Sequence, residues 1–554
     1  MSTSKRSLFV TDDGKNLVFT FTIVSSLFLL WGFCNGMIDV MDKHFQQELH
    51  LSYSQSAWVQ FAHYLGYFLM SLPAGWLAIK LGYKGGIIAG LLMVALGGFW
   101  FIPATHIAAF WAFLLGVCFI ASGLTFLETV ANPYTTVLGP PRYAATRINL
   151  AQSCNGVGWI LGPIAGGMFF YGTDAAGKST GSQTLWIPYA GVAIVVILLA
   201  TVFYFANVPD IKTQDDYHLD DQGANGGAAA APREVNHGPV YSLLLLNVAV
   251  LIGVFGMILW VILSALGAGR QLIGLASWLP HPGSVDLTDG LALAMVLCWV
   301  GLVCIAIAAA VLIPAAKRIS HHSIWSHEHF AGATLAQFFY VAAQAGIFSF
   351  LINYMTTEPP AIPSSWNMAL THKWLETGKD GLLHVSNQGA SNLASLGFIF
   401  FLTGRVTGAA LLKKFSAHKV LGLYALLNVL VTFLVFCKLG WLSVACVFLS
   451  YFFMSIMFPT IFALGIYGLG ARAKNASAYI VMGIMGGAIL PKVMGAVADK
   501  YDMSRGFIVP MACFVLIACY GYGWPKLSKV ESLHGIGPSG GHSASLEGAR
   551  AASH

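Results

Sequence analysis

Charge is what this sequence has least of. Only 9% of its 554 residues are Asp, Glu, Lys or Arg, where a soluble domain carries about 25%. So few charges cannot clothe a water-facing surface, which excludes a string of soluble domains. The net charge of +6 is small for this length, and no basic patch alternates with aromatics, so a nucleic-acid partner is excluded as well. Nine cysteines are scattered singly, with no CxxC and no Cys/His ligand spacing; neither a disulfide framework nor a zinc site is read. His321, His322, His327 and His329 cluster without Cys or acid partners at ligand spacing, so no metal is expected. Ser/His/Asp, Cys/His and P-loop arrangements are missing, and an enzyme is not expected.

What is present is grease. Hydrophobic residues make up 57% of the chain and mean hydropathy is +0.71. The solvent of such a chain is lipid. Apolar runs of spanning length lie near 17–40, 56–79, 86–104, 107–131, 147–171 and 185–206. A polar linker covers 207–239, two further spans lie near 240–267 and 290–316, and six more near 329–355, 389–412, 419–437, 441–466, 476–497 and 507–525. The tail, 527–554, is rich in Gly, Ser and His and is expected to be disordered and cytoplasmic. Lys and Arg gather on the side of the N-terminus, which by the positive-inside rule places both termini in the cytoplasm of a cell (inner or plasma) membrane.

The spans repeat. Phe126–Gly139 contains Pro133 followed by Leu-Gly at the spacing found after Pro459 in Phe453–Gly465. The next spans match as Gly158, Pro163, Gly167 against Gly486, Pro491, Gly495. A third echo joins Gly75–Lys80 to Gly408–Lys413. Two six-span halves in parallel repeat define the major facilitator architecture, with a substrate bound near midplane between the halves. The expected fold is therefore all-α and membrane-embedded: an N-terminal half over 1–206, the linker, an inserted two-helix segment over 240–327 and a C-terminal half over 328–526, about fourteen spans in all. The inserted spans carry almost no polar stripe, Asn247 being the main exception, and are expected to lie outside any substrate path.

Polar side chains inside spans are costly and mark function. Asn35 and Asp39 share one face of the first span, and Glu128 and Asn132 repeat that spacing in the fourth. The fifth carries Asn149, Gln152 and Asn155; the first span of the second half carries Gln337, Tyr340 and Gln344 at i, i+3, i+7. Amides both donate and accept, which suits a neutral, hydroxyl-rich ligand. Asp39 and Glu128, acids without adjacent bases, suit proton carriage. Asp42 and Lys43, just past the first span, are expected to be solvated. Arg405 reads as a structural partner, and Lys492 as a side chain that snorkels. Gly156-Val-Gly-Trp-Ile-Leu-Gly162 matches a dinucleotide loop only loosely and reads as small-residue helix packing.

The strings Leu30–Asp39, Phe126–Tyr134, Asn149–Asn155, Leu335–Tyr340 and Phe453–Phe462 resemble the L-fucose:proton symporter (fucose–galactose–glucose permease) family of the major facilitators. The likeness spans both halves and omits the insert and tail. It implies alternating access and symport of a neutral hexose with a proton, with no cofactor beyond that coupling ion. It implies that Asp39 and Glu128 cycle the proton and that Gln152 and Asn155 are the amide pair at the sugar. With Asn35, Gln337, Tyr340 and Gln344 these form the expected substrate contacts. A monomer in lipid is expected. The alternatives are a proton-coupled carrier of an acidic sugar or other small anion, with Lys492 as counter-charge, an exporter or peptide carrier, or a membrane sensor that binds sugar without moving it.

Overall fold

The structure, a computed structural model, describes residues 9, 16–138, 144–171, 184–208, 237–265, 267–279, 289–319, 323–362, 374–378, 381–412, 415–467, 469 and 473–528. Most of the 207–239 linker, the tail beyond 528, His321 and His322, and the side chains of Asp39, Asn132 and Asn149 lie outside the described residues.

The chain is a bundle of long helices. The first, α1, is Val18–Glu48. A single rod, Trp58–Ile107, breaks at Gly82, whose φ of 70° ends one span and starts the next; only glycine takes that backbone without strain. Its parts are α2 (58–81) and α3 (83–107). Then come α4 (Phe110–Val137), α5 (Ala144–Phe170) and α6 (Trp186–Phe205). The inserted pair is α7 (His237–Ala265) and α8 (Asp289–Arg318). The α7 helix begins inside the stretch read as linker, with Pro239 in its first turn, where a missing N–H costs nothing. The second half holds α9 (Glu328–Ser349), α10 (Asn387–Leu412) and α11 (Ala417–Phe436). It continues with α12, broken between Trp441–Met454 and Met457–Ile466. The last two are α13, Ala473–Met482 running through a 3₁₀ turn into Gly486–Lys500, and α14, Ile508–Ser528.

Twelve of these stretches are long and apolar enough to cross a membrane. The 58–81 and Ala144–Phe170 helices are not among the twelve, which brings the spanning-length helices among the described residues to fourteen. Both are diluted by polar side chains: Gln60 and His63 in one, Gln152, Ser153 and Asn155 in the other.

The two halves repeat each other's packing. In the first, α1 lies on α5, and α3 lies on α4 and α6; in the second, α9 lies on α13, and α11 on α12 and α14. The glycines of the repeat explain the closeness of the first pair in each half. A Cβ on Gly158 would collide with the Leu29 carbonyl of α1, and one on Gly486 with the Phe338 carbonyl of α9. Within the Gly156–Gly162 string, Gly158 and Gly162 are thus a backbone-to-backbone seat for α1. Across the seam between halves, α5 meets α10 and α2 meets α13, the pairing that a parallel repeat related by an axis along the bundle generates.

The inserted pair is peripheral. Only 6% of the span window of each helix is buried, against 83% for α9. The α8 helix packs on α7, tied by Tyr241 Oη donating to the Ala309 carbonyl at 2.8 Å. Outside the spans, Lys438 joins Glu358 (3.3 Å) and Asp502 (3.0 Å) at the end of the second half. Partial burial works against its ammonium, but the two carboxylates outweigh that and hold its pKa above the ordinary lysine value.

Candidate functional site

The polar groups of the first half converge where α1, α2 and α4 meet. Trp31 Nε1 donates to the Tyr67 hydroxyl at 2.6 Å, and that hydroxyl also faces Asn35 and Glu128. Glu128 lines a crevice with Leu27, Phe28, Trp31, Leu127 and Ala131. It is 6% exposed, and its Oε2 has no hydrogen-bond partner; Asn35 Oδ1 is likewise buried and unpaired. Asp39 follows Asn35 by one helical turn of α1. Sequence reasoning missed the contribution of α2. Gln60, His63 and Tyr67 lie at i, i+3, i+7, the spacing recognised in Gln337, Tyr340 and Gln344. All three are buried, and His63 and Tyr67 are in ring contact at 5.1 Å. That stripe was legible in principle.

In the second half Gln337 is fully buried, with neither atom of its amide hydrogen-bonded. Gln344 is half-buried on the same helix. Asn353, in the short helix Leu351–Thr357, is a second fully buried amide with both atoms unpaired; it falls within the 329–355 span but off the face of Gln337, Tyr340 and Gln344, so the stripe gave no signal for it.

Two of the expected sugar contacts are engaged elsewhere. Asn155 Nδ2 donates to the Phe28 carbonyl at 3.3 Å, fastening α5 to α1. Tyr340 Oη donates to the Met454 carbonyl at 3.2 Å, at the break in α12. The sequence put Asn155 and Gln152 on one face because only spacing was visible; the tight α1–α5 contact turns Asn155 toward α1. Gln152 instead shares the helix face of Gly156, Trp159 and Pro163, which meet the second half. Trp159 lies 4.8 Å from Phe398, and Ser391 Oγ donates to the Pro163 carbonyl at 2.5 Å.

Tyr340→Phe is therefore expected to cost about 0.5–1.5 kcal/mol of stability, the worth of one buried hydrogen bond, and to leave sugar affinity unchanged. Melting curves beside calorimetric titration check this; a tenfold loss of affinity without loss of stability would return Tyr340 to the ligand.

The cations are held by protein. Pro459 has no N–H to offer the carbonyl four residues earlier, and Arg405 Nε donates to that Ser455 carbonyl at 3.3 Å, with its guanidinium over Phe401. Arg405 is the structural partner that the sequence suggested. Lys492 Nζ sits 3.4 Å from the centre of the Trp58 ring. The expectation that Asp42 and Lys43 are solvated is corrected: they are 0% and 8% exposed. The α1 helix runs on past its apolar stretch to Glu48, and helix Tyr53–Ser56 with the end of α5 encloses those turns.

At this end of the bundle, where α1 finishes, the halves are in contact. Tyr53 N donates to Asp499 Oδ1 at 2.6 Å, and Ser395 Oγ to the Ile160 carbonyl at 2.7 Å.

This architecture is that of a two-fold repeated secondary transporter. The profile of the Major Facilitator Superfamily matches residues 20–345, and the chain belongs to that superfamily, in the family that includes the L-fucose-proton symporter of Escherichia coli K12. To that protein it is 30% identical over 520 residues, 91% of this chain and 92% of the relative. It is 26% identical to a glucose/galactose transporter of Brucella abortus, over 92% of this chain and 95% of the relative. The solved structure of the Escherichia coli fucose:proton symporter in an outward conformation is similar at a TM-score of 0.55 and 28% identity, covering 92% of this chain and 99% of that one.

Proposed function

We propose that the chain is a secondary active transporter that moves a neutral hexose of the fucose, galactose or glucose type together with a proton by alternating access. The observation that carries this is the set of buried polar atoms without a hydrogen-bond partner: Glu128 Oε2 and Asn35 Oδ1 in one half, and both amide atoms of Gln337 in the other. Amide atoms left unpaired suit sugar hydroxyls, and an intramembrane acid suits a proton. In this reading Asp39 and Glu128 carry the proton, and Asn35, Gln152, Gln337 and Gln344 hold the sugar. Residues 1–206 and 328–526 are the rocking halves, the linker and tail are cytoplasmic, and a monomer suffices in the cell membrane. With both termini inside, the end closed by Tyr53 and Asp499 is the outer one.

A carrier of an acidic sugar would place a cation at the ligand. Lys492 over Trp58 and Arg405 on Ser455 have other duties, which favours the neutral substrate.

Uptake of labelled fucose, galactose and glucose into proteoliposomes, with and without an inward proton gradient, tests the reading. One proton entering with a neutral sugar moves one charge, worth about 2.3 kcal/mol per 100 mV, so about fiftyfold accumulation is expected at that potential. Accumulation indifferent to the gradient, or directed outward, would overturn it.

A further inference from the structure

The inserted helix α7 is greasy and largely lipid-facing, yet it touches both halves by different means. Toward its start it is bonded to the second half. Asn247 Nδ2 donates to the Ala331 carbonyl of α9 at 3.1 Å, and Thr334 Oγ1 donates to Asn247 Oδ1 at 2.6 Å. Midway, Val254 is 1% exposed in a cluster with Phe61 of α2, Phe338 of α9 and Met485 and Ala488 of α13, so the helix lies along the seam. Thirteen residues beyond Asn247, about 20 Å along the axis, Trp260 stacks on Trp58 of α2 with ring centroids 5.4 Å apart and planes at 22°. Lys492 of α13 places its ammonium 3.4 Å from the Trp58 ring centre and 5.1 Å from that of Trp260.

Three separate parts of the chain thus meet in one cluster: the first half gives Trp58, the insert Trp260, the second half Lys492. Polar bonds at membrane depth hold α7 to α9 through any motion, because breaking them strands buried amide and carbonyl groups. Rocking the halves about the seam to open this end moves α2 away from α13, and the contacts that must part include, beside the Tyr53–Asp499 hydrogen bond, those of Trp58 with Trp260 and Lys492. Apolar contacts along the middle of α7 can slide; a stacked pair with a cation over its face cannot.

We propose that the inserted helix is a latch: Trp260, carried on the second half through Asn247, clasps Trp58 with Lys492 and stabilises the conformation closed at the end where α1 finishes. This rests on the alternating-access reading above. It gives the extra helix pair a role in setting the conformational balance of the carrier, apart from the sugar path.

The test measures that balance directly, in the purified full chain. Spin labels are placed through Gln47→Cys in the first half and Tyr501→Cys in the second, both exposed at the closed end, with the exposed Cys298, Cys304, Cys437 and Cys519 replaced by serine. Inter-label distances are read across pH 5–8, with and without fucose, galactose and glucose. Two distances are expected, the shorter dominating without sugar. Trp260→Ala and Lys492→Met should each raise the ratio of open to closed about five- to thirtyfold, the range that a cation–aromatic contact of 1–2 kcal/mol supports. Trp260→Phe, which keeps an aromatic face, and Leu259→Ala, on the exposed side of the same helix, should stay near the starting ratio. If Trp260→Ala does not fold, Lys492→Met decides. Two distances in a ratio that neither substitution moves beyond twofold would overturn the latch and leave alternating access standing. A single distance under every condition would overturn both.

Discussion

Glu128→Gln is expected to abolish proton-driven sugar accumulation while sugar exchange across the membrane continues. Glu128 sits in the crevice between α1 and α4, nearly inaccessible, with Oε2 unpaired. A carboxylate buried there without a counter-charge is expensive, by several kcal/mol in a low-dielectric interior. The carrier loaded with sugar and proton can rock with the acid neutral, whereas the empty one returns after that proton has left to the cytoplasm, so each cycle moves one proton with one sugar. Glutamine imitates the neutral acid in size and charge, so the protein still binds sugar and still rocks, but no proton travels with it. The roughly fiftyfold gradient attainable at 100 mV should fall to equilibration. Asp39→Asn should do the same from its place one turn beyond Asn35. Uphill uptake at the normal level in either variant, at normal expression, removes that residue from the coupling path.

Gln337→Ala should weaken sugar affinity by about five- to a hundredfold, since a ligand hydroxyl left unpaired in a dry site costs about 1–3 kcal/mol. The structure sharpens this expectation. Gln337 is fully buried and bonds to nothing in the protein, so truncating it takes two unsatisfied polar atoms out of the interior. Its melting temperature should hold or rise while affinity falls, a combination that a helix-packing role cannot produce. Gln152→Ala, on the α5 face toward the second half, should lose affinity by a similar factor. Titration calorimetry beside melting curves reads both quantities. Unchanged affinity at both glutamines defeats the proposed sugar site.

The contrast between Gln337 and Tyr340 shows where sequence reading stops. Both lie on one stripe of α9 and looked equivalent. One has no protein partner, while the other donates to a carbonyl freed by the break in α12, more than a hundred residues away. Spacing along a helix gives a side chain's azimuth but not what stands opposite. The same holds for Asn155, turned onto α1, and for Asp42 and Lys43, whose burial depends on a neighbouring short helix and the end of α5. The α2 stripe of Gln60, His63 and Tyr67 went unread although its period was present.

Composition and periodicity by themselves determined the class of this protein. A chain with 9% charge can be solvated only by lipid, and in lipid each span must satisfy its backbone internally as a helix. The glycine and proline echoes determined the parallel repeat, because two helices can touch backbone to backbone only where Cβ atoms are missing, as at Gly158 and Gly486. Tertiary structure alone decided which polar groups bond to the protein and which, like Gln337, have no hydrogen-bond partner in it. It alone seated the inserted helix along the seam, with Trp260 against Trp58 and Lys492. Those outcomes depend on contacts between segments hundreds of residues apart, and a local pattern carries no record of its distant partner.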